Sequence, residues 1–98
     1  MKYNYNEYAV MLKALGDETR LRITMMLLHN KTCACEILEA FNFSQPTLSY
    51  HMKQLVCSRV VSAEKIGKWV YYSINDEKIE MLKSFFIKIK DEINKKES

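Results

Sequence analysis

Apolar residues recur at helical spacing through most of the chain and switch to strand spacing between residues 60 and 74. Tyr8, Met11, Leu12 and Leu15 follow an i, i+3, i+4, i+7 order, which predicts an amphipathic helix that Gly16 stops. Asp17 is placed to cap a second helix, with Leu21, Thr24, Met25 and Leu28 marking its inner face and its end near His29 and Asn30. Thr32 is placed to cap a short third helix that turns Ile37, Leu38 and Phe41 inward, and Asn42-Phe43 form a turn. Ser44 caps a fourth helix, and Pro46 is tolerated in its first turn because the early N–H groups have no intrahelical partner. Leu48, Met52, Leu55 and Val56 give this fourth helix a narrow apolar stripe.

The runs Val60–Lys65 and Trp69–Ile74 are β-branched and aromatic and flank Ile66-Gly67-Lys68, the signature of a β-hairpin. Asp76 then caps a last helix carrying Ile79, Leu82, Phe86, Ile89 and Ile93 in register, with Phe85 beside them. Four helices, a hairpin and one more helix make a mainly α fold with a β-hairpin wing. This is the winged helix-turn-helix plan, about five helices plus two strands. The terminal stripe Ile79, Leu82, Phe86, Ile89 and Ile93, joined by Tyr5, Tyr8 and Met11 of the first helix, is the expected surface of a homodimer.

Ninety-eight residues suffice for one domain with a modest core, so residues 1–98 read as a single unit. Two glycines and one proline leave no room for a flexible linker. No apolar run approaches the length of about 20 residues that spans a bilayer, and the opening Met1–Asn6 lacks the apolar core of a signal peptide. A cytoplasmic protein without a membrane partner is expected.

Charge sharpens the picture when divided along the chain. Residues 1–43 carry five basic and five acidic side chains, and residues 76–98 carry six of each. The net charge of +3 therefore resides in residues 44–75, where Lys53, Arg59, Lys65 and Lys68 face only Glu64. One basic segment coinciding with the fourth helix and the hairpin suits a nucleic-acid footprint. Ser44, Gln45, Thr47, Ser49, Tyr50 and His51 offer short hydrogen-bonding groups for base edges or phosphates on that helix. Lys53, Lys65 and Lys68 are placed to meet phosphates, with Lys68 at the wing tip. The expected partner is a double-stranded, palindromic operator read by two helices of a dimer.

Three cysteines are an odd number, which argues against a stapled secreted scaffold. Cys33 and Cys35, two residues apart, are unsuited to an ordinary structural disulfide. On the residues alone they read equally as soft ligands or as small, partly buried side chains. Cys57, at the end of the fourth helix, is expected in the core, with a third-ligand role as the alternative.

Four segments carry a resemblance to the ArsR/SmtB family of metal-responsive winged-helix repressors. The run 12–23 (LKALGDETRLRI) resembles the family's opening, 44–55 (SQPTLSYHMKQL) its recognition helix, and 65–72 (KIGKWVYY) its wing. The run 32–38 (TCACEIL) is similar to the Cys-x-Cys motif of the arsenic-sensing branch. Leu38 stands where some arsenic sensors have a third cysteine. The arm 1–15 lacks the cysteines of cadmium and lead sensors, and residues 72–98 lack the histidines of zinc and nickel sensors. The resemblance thus implies arsenite or antimonite as inducer, held chiefly by Cys33 and Cys35, and a transcriptional repressor rather than an enzyme.

Soft thiolates suit trivalent arsenic or antimony, and a helix N-terminus favours the anionic sulfur. In a regular helix, residues two apart project about 200° from each other. Binding is therefore expected to distort the first turn of the third helix and so displace the fourth. The alternative in the same fold is a repressor answering thiol oxidation, persulfide or another thiophilic metal. A thiol oxidoreductase is the reading from a different class; the chain lacks both the βαβ context and the Gly-rich cofactor loop that would support it. A protein-interaction module that uses the winged helix without DNA is the remaining class, and the basic segment 44–75 argues against it.

Overall fold

The computed structural model describes residues 4–97; Met1–Tyr3, the start of the stretch expected to lack a signal peptide, lie outside them. The elements run α1 (Tyr5–Leu15), α2 (Glu18–Met26), β1 (Thr32–Cys33), α3 (Ala34–Phe41), α4 (Gln45–Cys57), β2 (Val61–Ile66), β3 (Trp69–Ile74) and α5 (Asp76–Glu97). This is the winged helix-turn-helix expected from the pattern, with one strand more. The sheet order is β1-β3-β2, all antiparallel, so the wing hairpin β2–β3 carries β1 on its far edge.

Local chemistry sets the boundaries. Asn4 caps α1 by accepting the Glu7 N–H at 3.0 Å, and Asp17 caps α2 by accepting that of Arg20 at 3.1 Å. Asn42 ends α3 in the left-handed region (φ 52°), a conformation asparagine tolerates better than most residues. Ser44 caps α4 and accepts the Thr47 N–H at 3.3 Å. Gly67 takes φ 64° in the two-residue turn between Ile66 and Trp69, which face each other across the hairpin.

Met11, Ile23, Leu27, Ile37, Met52, Leu55, Val60 and Val61 form the fully buried centre. Every helix except the distal part of α5 contributes to the surrounding core, with Tyr8, Ala14, Leu48 and Leu82 completing it. Tyr8 stacks on Phe85 at a centroid distance of 4.6 Å, and Lys78 donates to Glu7 at 2.6 Å, locking α5 onto α1.

Several expectations are corrected here. Of the predicted inner face of α2 only Thr24 is buried, joined by Ile23 and by Leu27 at the C-cap; Leu21, Met25 and Leu28 are exposed, and the helix stops at Met26. Thr32 does not cap α3. It is a buried strand residue whose hydroxyl donates to the Asn30 carbonyl, and Cys33 takes the cap position. Asn75, not Asp76, caps α5, accepting the Lys78 N–H at 3.4 Å. Of the expected dimer surface, Tyr8, Met11 and Leu82 are buried inside the protomer and Ile79 is packed against them, so these four are spent on the core. Tyr5, Phe86, Ile89 and Ile93 stay exposed.

Candidate functional site

The cysteine pair sits at a corner of the chain. Cys33 closes β1 with extended dihedrals (φ −68°, ψ 143°), and Cys35 lies in the first turn of α3. Because the first of the two is extended, the 200° projection of a regular helix does not apply. The Cα atoms are 5.2 Å apart and the sulfurs converge on one side, bonded to each other as a disulfide. This corrects two expectations at once: the pair can close on itself, and it can converge on one centre without unwinding α3. The Cys35 N–H lies 3.3 Å from the Cys33 sulfur, and Glu36 returns a carboxylate to the Cys33 N–H at 3.3 Å. That reciprocal cap fixes the corner.

Cys33 is buried, whereas Cys35 is exposed. Cys57 is a free, exposed thiol and not the core residue expected, because it falls on the outer face at the last position of α4. Among the described residues no three of His, Cys, Asp and Glu gather as a metal cluster.

Two links connect this corner to the candidate DNA-reading elements. Cys33 pairs with Tyr71 in the β1–β3 ladder, and Thr32 with Tyr72, so the cysteine corner is an edge of the wing's own sheet. Cys35 also lines a groove of about 290 Å³ with Gln45 and Ser49 of α4 and Lys68 and Trp69 of the wing. Burial pushes the phenol of Tyr72, which also lines this groove, above its ordinary range.

On α4, Ser44, Gln45, Thr47, Ser49, Tyr50 and Lys53 are exposed, as are Lys65 and Lys68 on the wing. Ser44 also donates its hydroxyl to Thr47 at 3.0 Å, so these two cap the helix as well as facing outward. His51 stands apart: it is half-buried, stacks near Phe43 and meets Arg20. Arg20 is the residue that the sequence reading missed. Its Nε donates to the Ala14 carbonyl at 2.6 Å, an Nη lies 3.2 Å from His51 Nδ1, and its guanidinium lies 6.0 Å from the Tyr50 ring centre. Only the three-dimensional approach of α2 to α4 reveals it.

Residues 17–63 match the family described as bacterial regulatory protein, arsR family. The "Arsenical resistance operon repressor" of Staphylococcus xylosus is 46% identical over 74 residues, covering 76% of this chain and 71% of that one. The chain belongs to the arsR family. The family is regulatory, a helix-turn-helix class of transcription factors, and this member carries a Cys-x-Cys pair beside its wing. A Staphylococcus aureus "Cadmium resistance transcriptional regulatory protein CadC homolog" is 35% identical over 82 residues, covering 83% of this chain and 68% of that one. The homodimeric winged helix-turn-helix DNA-binding domain of Mb0332 from Mycobacterium bovis superposes with a TM-score of 0.72 at 26% identity, covering 90% of this chain and 82% of that one. No helix among the described residues is long and apolar enough to cross a membrane.

Proposed function

We propose that this chain is a cytoplasmic, homodimeric repressor that binds a palindromic operator and releases it when trivalent arsenic or antimony binds the reduced Cys33–Cys35 pair. The carrying observation is the position of that pair, on the edge strand of the wing sheet and on the wall of the groove between α4 and the wing. The similarity to arsenical operon repressors supports the choice of inducer.

The donor set fits the inducer. Two sulfurs that no carboxylate or histidine joins in a metal cluster among the described residues disfavour hard cations and suit a thiophilic trivalent centre. Cys33 and Cys35, both reduced, would hold that centre, which would supply a soft acceptor for two thiolates. Everything else is done by the chain. Cys33 is held by β3 and by Glu36, so the shift on binding falls on Cys35 and moves the first turn of α3 as a unit, without unwinding it. That turn faces Gln45 and Ser49 on one side and Lys68 and Trp69 on the other. A change in the spacing between recognition helix and wing costs DNA contacts on both. A coupling of about 1–3 kcal/mol lowers operator affinity about 5- to 150-fold, and reciprocity requires operator DNA to weaken inducer binding by the same factor.

Fluorescence anisotropy of reduced protein on a palindromic duplex selected from a random-sequence pool tests this reading. Arsenite should release the wild type and leave Cys33→Ser/Cys35→Ser bound. Equal affinity of the wild type with and without saturating arsenite ends the proposal.

One observation favours a second reading, a repressor switched by thiol oxidation. Cys33 and Cys35 are paired as a disulfide within one protomer. Under that reading peroxide, and not arsenite, releases the duplex, and dithiothreitol restores binding.

A further inference from the structure

We infer that Arg20 is a positioning residue for operator reading: it fixes which nitrogen of His51 carries the proton, so that α4 presents Nε2–H to an acceptor on the DNA. The inference deepens the proposed operator binding and rests on it. The acceptor is a base-edge nitrogen or oxygen, or a phosphate oxygen, of a double-stranded site.

One Nη of Arg20 lies 3.2 Å from His51 Nδ1. A guanidinium has five N–H donors, no acceptor, and a charge it does not lose, so Nδ1 has to be the accepting nitrogen. A neutral imidazole that accepts on one nitrogen carries its proton on the other. Arg20 is not free to turn away. Its Nε donates to the Ala14 carbonyl at 2.6 Å, and its backbone N–H is held by the Asp17 carboxylate at 3.1 Å. The ring itself is flanked by Phe43, stacked at a centroid distance of 6.0 Å, and by Tyr50, edge-on at 5.3 Å.

Nε2 is the nitrogen left over. Arg20 is the ring's only hydrogen-bond partner among the described residues, and among them no buried side-chain nitrogen or oxygen lacks a partner, so Nε2 reaches solvent. Four residues apart on α4, Thr47 and His51 share one face, and Thr47 is exposed. The donor therefore emerges beside Thr47, within the basic segment 44–75. A fixed donor discriminates. Guanine N7 and O6, adenine N7, thymine O4 and phosphate oxygens accept from it, whereas the amino groups of cytosine and adenine do not. A free imidazole offers either sense by exchanging tautomers; the guanidinium removes that choice.

Two near-isosteric replacements separate this role from a purely structural one. Glutamine places an amide N–H near the position of Nε2, and asparagine places its oxygen near that of Nδ1. Reduced full-length protein is measured by anisotropy, without inducer, on the duplex selected from a random-sequence pool. His51→Asn still receives Arg20 but has no outward donor, and should bind on the order of tenfold more weakly, the scale of one lost hydrogen bond. His51→Gln should recover most of that loss. In nitrogen-15 NMR of the wild type, His51, one of two histidines, should show the Nε2–H pattern, and Arg20→Ala should move it toward the average of a free imidazole. A base-pair scan and methylphosphonate replacement should find an acceptor whose loss weakens the wild type and leaves His51→Asn unchanged; a base pair marks direct reading and a phosphate marks docking. Wild-type affinity in His51→Asn, a proton on Nδ1, or the absence of such an acceptor overturns the assignment and leaves operator binding standing. Failure of the wild type to bind any duplex of the pool overturns both.

Discussion

Arg20 joins the recognition helix to the helix before it: one of its Nη atoms lies 3.2 Å from His51 Nδ1 while its Nε donates to the Ala14 carbonyl at 2.6 Å. A guanidinium only donates, so the imidazole accepts at Nδ1. One side chain thus spans the end of α1, the start of α2 and the middle of α4. His51, expected as a DNA contact, serves at least as much to receive this brace.

The brace predicts a DNA-binding defect without a DNA contact. Arg20→Ala should weaken operator affinity on the order of tenfold by loosening α4, the scale of a lost charged hydrogen bond. Arg20→Lys should rescue little, because an ammonium cannot reproduce the fork that reaches both Ala14 and His51. Anisotropy measures the loss, and circular dichroism checks that the fold is retained. Wild-type affinity in Arg20→Ala would show that α4 holds its place unaided.

Acid stability should report the cap beneath this brace. The Arg20 backbone N–H on the Asp17 carboxylate holds the Asp17 pKa below its ordinary value of 3.8, with the Arg20 charge assisting and burial opposing. A carboxyl with a depressed folded pKa contributes stability above its unfolded pKa and loses it as pH falls through the folded value. Asp17→Asn keeps a cap acceptor and removes the titration. Urea midpoints of wild type and variant should therefore differ at neutral pH and converge as pH drops below 3.8. A gap that persists in acid would place the effect elsewhere than in the carboxylate's charge.

The three thiols should separate by accessibility. A brief iodoacetamide pulse on reduced protein should label exposed Cys57 and Cys35 well ahead of Cys33, which is only 3% exposed. Arsenite should protect Cys35 and leave Cys57 labelling unchanged, and Cys57→Ser should bind arsenite as the wild type does. Peptide mass spectrometry reads all three. Protection of Cys57 would restore it as a third ligand.

What the sequence could and could not disclose follows from the range of each signal. The hairpin, the α4 cap and the terminal helix were legible because their determinants are local: β-branched runs around Gly67, Ser44 before Pro46, a regular apolar period. The inner face of α2 was misread because Leu21, Ile23, Met25, Leu27 and Leu28 put apolar groups on both sides, and only packing against α1 and α4 selects Ile23 and Leu27. β1 was invisible because two residues have no period, and its existence depends on pairing with Tyr71 and Tyr72 some forty positions later. That unseen strand changed the chemistry of the site. It makes Cys33 extended, and an extended Cys33 lets the pair converge without the helix distortion that helical geometry demanded.

Lysines on the wing and α4 should appear in the salt dependence of binding. Each phosphate contact contributes about 0.9 to the slope of log K against log salt concentration. Lys68→Ala and Lys65→Ala should each lower that slope by about this amount, whereas Lys90→Ala, on α5, should not. Identical slopes for all three variants would remove the wing from the footprint.

The corrected apolar surface gives the sharpest separation of folding from assembly. Met11 and Ile89 were expected to share one dimer face, yet Met11 is fully buried and Ile89 is 42% exposed. They should fail differently. Met11→Ala opens a cavity under α1 and should cost about 2–5 kcal/mol of stability, with assembly affected only through folding. Ile89→Asp, together with Phe86→Ser, places polar groups on a surface that the protomer does not use. It should leave the helical spectrum intact while converting dimer to monomer in sedimentation. Because two half-sites bound by one dimer reinforce each other, the monomeric variant should also lose operator affinity far more than it loses stability. If Ile89→Asp/Phe86→Ser still sediments as a dimer, the interface lies on another face, and the exposed Leu21 and Met25 of α2, with Leu28 just after it, become the surface to change next.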